Sequence, residues 1–205
     1  MRAVTFDPDT DRFGLRELAP PEPGPGEVRV RVAACGLNPV DAKLPQWKGL
    51  ALGMSADWVP GLDVSGTIDA LGPGVEHWRV GDAVLYHGDM LSPHGGLAEL
   101  AIHPAATLLA HPRLPPVVAA ALPCAGWTAW RALVDKLRIA PGDSLLVVGA
   151  SGGVGGFAVQ LARLLGARPI IAVCSRANHA FALSHGATHA IDYHTEEVAR
   201  RVCDI

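Results

Sequence analysis

"SLLVVGASGGVGGFAVQLARLLGARPIIAVCSR", residues 144–176, decides the fold. An apolar run, LLVV, leads straight into "GASGGVGG", residues 149–156, which packs five glycines into eight positions. The spacing Gly149, Gly152, Gly155 fits a dinucleotide-binding fingerprint lengthened by one residue relative to GxGxxG. That chemistry needs a tight turn, a backbone that can approach a pyrophosphate, and close contact between helix and strand, each served by a missing side chain. A following helix would aim its unpaired N–H groups at the anion. Read alone, the loop could also be a flexible turn. Its context favours nucleotide binding. Val154, Phe157, Ala158, Leu161 and Leu165 recur at helical spacing, so a helix from about Gly152 presents an apolar face to a sheet until Gly166 ends it. Gly149, Ser151, Gly152, Gly153, Val154 and Gly155 are the candidate loop contacts.

Working outward, "IIAVC" (residues 170–174) is apolar throughout, as parallel strands covered on both faces tend to be. A dinucleotide-binding protein that takes NADH usually places an acidic residue at the end of this second strand, against the ribose hydroxyls. Here Ser175 and Arg176 stand there, and an arginine pairs with a 2′-phosphate, so NADPH is the expected cofactor. The alternative is that Arg176 is a solvated first-turn residue of the next helix. A second helix ends at Gly186, a third strand spans residues 189–193, and Thr195 caps a helix in "TEEVARRV". The result is βαβαβ, half of a doubly wound sheet that commonly has about six strands.

The first hundred residues have another texture. "EVRVRVAAC" (residues 27–35) alternates Val28, Val30 and Val32 with Arg29 and Arg31, the period of a strand buried on one face. Further strands are expected at residues 63–72, 82–87 and 97–103, broken by glycine- and proline-rich turns; several short strands in a row suggest a small barrel or sandwich. Beyond residue 113 the chain turns alanine-rich and helical in propensity, with Pro123 interrupting the helix. Two domains are expected, residues 1–113 and 114–205.

Composition narrows the function classes. The 205 residues are 49% hydrophobic and 18% charged, enough for a buried core, and 17 Lys plus Arg against 20 Asp plus Glu leave a net charge of −3. No basic block could track a nucleic-acid backbone. Cys35, Cys124, Cys174 and Cys203 stand too far apart for a short metal-ligand spacing and suit a reducing compartment. The charged N-terminus resembles no signal peptide, and no apolar run approaches the ~20 residues that span a bilayer. A cytoplasmic protein with neither nucleic-acid nor membrane partners is expected.

Six motifs, "VAACGLNPVDAK", "PGLDVSGTIDALGPGV", "VGDAV", "LPCAGWTAWRAL", "GASGGVGGFAVQLAR" and "GATHAIDY", run along nearly the whole chain. Together they resemble the medium-chain dehydrogenase/reductase superfamily, specifically its zinc-free NADPH quinone oxidoreductase and enone reductase branch. The resemblance implies a GroES-like β-barrel domain followed by the first half of a Rossmann domain, apparently truncated, and hydride transfer from NADPH to a quinone or α,β-unsaturated carbonyl. It implies Asn38 and Lys43 as the groups that stabilise the developing oxyanion, with solvent supplying the final proton. Trp47 and Trp58 follow "NPVDAK" closely enough to line a substrate pocket with Asp41, although tryptophan more often serves as packing; the alternative for the motif is a turn residue at Asn38, a cap at Asp41 and a surface charge at Lys43. Thr128 is implied near the nicotinamide, and Tyr193 beside Ser175 and Arg176. Asn178 stands where the family often has lysine.

Zinc members of the superfamily take their first two catalytic ligands from a cysteine and a histidine. Asn38 and Leu62 occupy those places here, and Cys124 alone matches the third. One such ligand cannot hold a catalytic zinc, so no metal is expected, and His87, His94, His103 and His111 read as solvated or core histidines. A homodimer is implied where the full-length domain is present. Two other readings stay open: a catalytically silent fragment, and a zinc-type alcohol dehydrogenase relative with altered ligands.

Overall fold

The structure, a computed structural model, describes residues 1–205. It divides into two compact units, Met1–Cys124 and Ala125–Ile205. The first unit opens with a hairpin of β1 (Arg2–Asp7) and β2 (Arg12–Glu17), then β3 (Glu27–Gly36). Two short helices follow, α1 (Pro39–Ala42) and α2 (Leu44–Trp47), and then β4 (Asp63–Leu71), β5 (Ala83–His87), β6 (Leu100–Pro104) and β7 (Leu109–Ala110). The last five strands form one antiparallel sheet in the order β6-β3-β4-β5-β7. The alternation in β3 does what its pattern predicts: Val28 and Val30 are fully buried against Val64, Ile68 and Val84, while Arg31 is exposed. The strand expected from residue 97 begins at Leu100. The segment before it is held instead by Val4 N–H donating to Leu97 O and by one antiparallel bridge to β1, Ala98 opposite Ala3.

A short helix, α3 (Pro116–Ala119), precedes α4 (Pro123–Trp130), which continues as a π-helical segment, Arg131–Lys136. The helical stretch is interrupted as expected, and Pro123 opens the second helix, as its missing N–H and fixed φ allow at the first helical position. In the second unit β8 (Leu145–Val148), α5 (Gly153–Leu164), β9 (Ile170–Val173), α6 (His179–Ser184), β10 (His189–Ile191) and α7 (Val198–Cys203) complete the chain. The three strands pair in parallel in the order β10-β9-β8.

Two details correct the expectations. The buried face of α5 is Gly155, Gly156, Ala158, Val159 and Ala162, and Val154 is 41% exposed. Small residues bring the helix backbone down onto the sheet, so the buried stripe runs through them and the bulkier Phe157, Leu161 and Leu165 sit at its margin. Thr195 is not the cap of the last helix. Glu197 is, accepting from Ala199 and Arg200 N–H, whereas the Thr195 hydroxyl donates to Asp192.

Candidate functional site

In the second unit, parallel register sets the geometry. Val148 pairs with Val173, and Ile191 pairs with the same residue from the other side, so the three strands end together. Their carboxyl edge carries the glycine loop, Ser175–Arg176 and Tyr193. Gly149 and Ala150 N–H both donate to Val173 O, which fastens the loop to the end of β9. Gly149 adopts φ +74°, a conformation that favours glycine, and a Cβ there would point into open space. A Cβ on Gly155 would run into the Gly149 carbonyl and come within 2.8 Å of Ala150 Cα. Gly149 thus makes the turn and Gly155 lets α5 close on it. Gly152 caps α5, twelve residues long, whose first N–H groups lack intrahelical partners. Open space over the loop and unpaired helical donors fit a dinucleotide pyrophosphate.

The other predicted cofactor contacts lie in the same unit. Ala125 Cβ would stand 3.4 Å from a Cβ on Gly153, which sets α4 against the glycine loop; Thr128 is exposed one turn further along α4. Arg176 is exposed in a 3₁₀ turn after β9, and Tyr193 is 54% exposed after β10 and in ring contact with His194. Reading residues one at a time missed a bridge here. Asn178 Nδ2 donates to the hydroxyls of both Ser151 (3.2 Å) and Ser175 (3.1 Å).

In the first unit, Asn38 and Asp41, two of the residues expected on the substrate side, belong to a second cluster. Antiparallel register places Asp63, the first residue of β4, opposite His87 at the end of β5 and Gly36 at the end of β3. Asn38 follows Gly36 by two residues. The Asp63 carboxylate, 2% exposed as a residue, accepts from His87 Nδ1 (2.6 Å), Asn38 Nδ2 (3.0 Å) and the Cys124 N–H, which reaches both oxygens at 3.1 Å. The strand ends, the α1 N-terminus and the start of α4 are thereby tied to one carboxylate. Asn38 N–H donates to Asp41 Oδ2 at 2.7 Å, and burial pushes the Asp41 carboxyl above its usual range. Lys43 is exposed at the end of α1.

Trp58 is buried with Phe6, Leu44 and Ala51, and Trp47 packs against that cluster while donating its indole N–H to Val40 O. Asp41, Trp47 and Trp58 line one crevice of about 10 Å³, too narrow as it stands for more than a water molecule. Trp78 belongs to the core of the sheet, its indole N–H donating to Ala105 O.

Asp63, His87 and Cys124 bring oxygen, nitrogen and sulfur atoms within 4.8 Å of one another, a grouping the chain order had hidden. The donors nevertheless do not fit the catalytic zinc of the resembling family. Asn38 and Leu62 hold its first two ligand positions. His87 Nδ1 and Asp63 Oδ1 stand 2.6 Å apart, whereas bonds of 2.0–2.2 Å to one tetrahedral ion hold ligands about 3.4 Å apart. Both carboxylate oxygens are also already shared among N–H donors. The group is a closed hydrogen-bonded knot.

Two family models match the chain: the alcohol dehydrogenase GroES-like domain over residues 24–113 and the zinc-binding dehydrogenase over residues 153–205. A structure described as an NAD-dependent alcohol dehydrogenase is 35% identical with a TM-score of 0.88, covering 100% of this chain and 67% of that one. The chain belongs to the medium-chain dehydrogenase/reductase superfamily. Within the superfamily it is similar to the quinone oxidoreductases. That of Pseudomonas aeruginosa is 37% identical over 194 residues, covering 93% of this chain and 57% of the relative. The Escherichia coli quinone oxidoreductase, solved in complex with NADPH, is 27% identical with a TM-score of 0.86, covering 100% of this chain and 62% of that one. This superfamily member thus has the GroES-like domain and part of the Rossmann domain, and spans about 60% of the length of the quinone oxidoreductases it matches. No helix is long and apolar enough to cross a membrane.

Proposed function

We propose that this superfamily member is a zinc-independent, NADPH-dependent oxidoreductase that transfers hydride to a quinone or an α,β-unsaturated carbonyl compound. The observation that carries the proposal is the carboxyl edge of the parallel sheet, where the glycine loop and Arg176 come together and Asp192, the acid at the end of β10, is engaged by His194 N–H and the Thr195 hydroxyl. No acidic residue stands at the end of β9 to repel a 2′-phosphate. The quinone oxidoreductase relatives support the acceptor class, and the NADPH complex of one of them supports the cofactor.

NADPH supplies the hydride. The glycine loop and the first N–H groups of α5 bind the pyrophosphate, and Arg176 with Ser175 and Tyr193 binds the adenosine phosphate. Thr128 would help hold the cofactor. On the acceptor, the Asn38 amide and the Lys43 ammonium stabilise the negative charge that develops on oxygen. Asp63 orients the Asn38 amide by accepting one of its hydrogens, and the Asp41 carboxylate fixes the Asn38 backbone. Solvent delivers the proton. The cysteines form no disulfide, which suits the cytoplasmic setting that belongs to this proposal.

The test is cofactor preference. Arg176→Asp should move binding from NADPH toward NADH by about tenfold or more, the scale of one charge-assisted phosphate contact replaced by repulsion. Unchanged relative affinities in wild type and variant would remove the assignment.

A further inference from the structure

Asn178 lies at the end of the 3₁₀ turn that follows β9, and its backbone N–H donates to Ser175 O at 2.8 Å. Its side-chain amide has two hydrogens, and both are spent on serine oxygens: Ser151 in the glycine loop and Ser175 at the end of β9. A hydroxyl that accepts from an amide keeps its own proton to donate. The two serines make no other side-chain hydrogen bond in the protein. The bridge therefore does two things. It couples the glycine loop to the strand end, and it leaves two neutral hydroxyls as oriented donors, one of them on the residue preceding the exposed Arg176.

A phosphate monoester offers only acceptor oxygens, so it matches donors pointed at it and is opposed by acceptors. We infer that Asn178 is a specificity-determining positioning residue: through Ser151 and Ser175 it presents hydroxyl donors to the 2′-phosphate of the cofactor. The assignment rests on the NADPH reading above and adds to it a residue that never has to touch the phosphate. In this arrangement a neutral side chain contributes to selection for a dianion by setting which way two hydroxyl groups point.

The experiment compares adenosine 2′,5′-bisphosphate with adenosine 5′-monophosphate by titration calorimetry on the full chain, so that neither nicotinamide binding nor turnover is required. Wild type should bind the bisphosphate the more tightly. Asn178→Ala, which deletes the bridge, should reduce that preference about tenfold, the scale of two neutral hydrogen bonds, and leave the monophosphate affinity within about twofold. Asn178→Asp has the same shape, but its oxygens would take up the serine protons and bring a negative charge, so the preference should fall further than in Asn178→Ala. Thermal unfolding identifies a variant that has lost its fold, and the second variant then carries the test. A preference unchanged in both variants overturns the role of Asn178 and leaves the cofactor reading standing. Equal affinity for the two nucleotides in wild type overturns the cofactor reading, and the role of Asn178 with it.

Discussion

Removing the Asp63 carboxylate should cost this protein a large part of its stability. Asp63 is 2% exposed, and three donors depend on it: the Cys124 backbone N–H, the Asn38 amide and the His87 ring. In Asp63→Ala these groups lose their acceptor, and a buried donor left unsatisfied costs about 1–3 kcal/mol. The His87 side chain is 30% accessible and can turn to water, so about two donors carry the penalty. The expected loss is about 2–6 kcal/mol, against a total stability of about 5–15 kcal/mol for an ordinary domain. Asp63→Asn keeps the volume and one acceptor oxygen but sets an NH₂ against N–H donors, so it should lie between wild type and alanine. Urea unfolding followed by circular dichroism reads the change as a shift in midpoint at constant slope. An Asp63→Ala protein within about 0.5 kcal/mol of wild type, the range of an ordinary surface substitution, would refute the buried knot.

Three further outcomes follow from the same geometry. Gly155→Ala drives a methyl group into the Gly149 carbonyl and toward Ala150 Cα; the backbone must move, so thermal denaturation should show at least the ~1–3 kcal/mol of overpacking, with weakened NADPH binding. Lys43→Ala should lower quinone turnover about 10²-fold while NADPH affinity, read by titration, stays nearly unchanged; wild-type turnover in the variant would take Lys43 out of the mechanism. The Asp192 carboxyl is held below its usual 3.8, first by the His194 N–H and also by the Thr195 hydroxyl. A lowered folded pKa gives stability that is present above 3.8 and lost as pH falls through the lowered value. The melting-temperature gap between wild type and Asp192→Asn should therefore be constant near neutrality and close on acidification, and a gap that widens in acid would contradict the sign.

Much of this was legible in the residues, for reasons that differ by element. Strand β3 announced itself by its period of two, and the short apolar runs of β8 and β9 read as strands because they are four residues long, contain β-branched residues and are bounded by the glycine loop and by Pro169. The glycine loop was legible because its turn conformation and close approach can be met only without a Cβ. The buried face of α5 was misjudged at its start by following bulk: Val154 is large and exposed, whereas Gly155 and Gly156 are small and buried; Ala158 lies on the buried face as expected. The cap of α7 was misplaced because Thr195, Glu196 and Glu197 all offer side-chain oxygens, and the backbone chooses among them. The Asp63 knot was out of reach. Its members lie 24, 25 and 61 residues from Asp63; the pairing of β4 with β5 sets Asp63 opposite His87, and that of β4 with β3 sets it opposite Gly36, two residues before Asn38. Asn178 was noticed as the place of a missing lysine, yet its bridge to Ser151 needs the folded loop.

Titration of the purified, metal-stripped chain with NADPH and NADH tests the central claim most directly. The account predicts cooperative folding without metal and saturable NADPH binding in the micromolar range, at least about tenfold tighter than NADH. A folded chain that binds neither nucleotide, that binds the two equally, or that binds NADPH only after zinc is restored would contradict it.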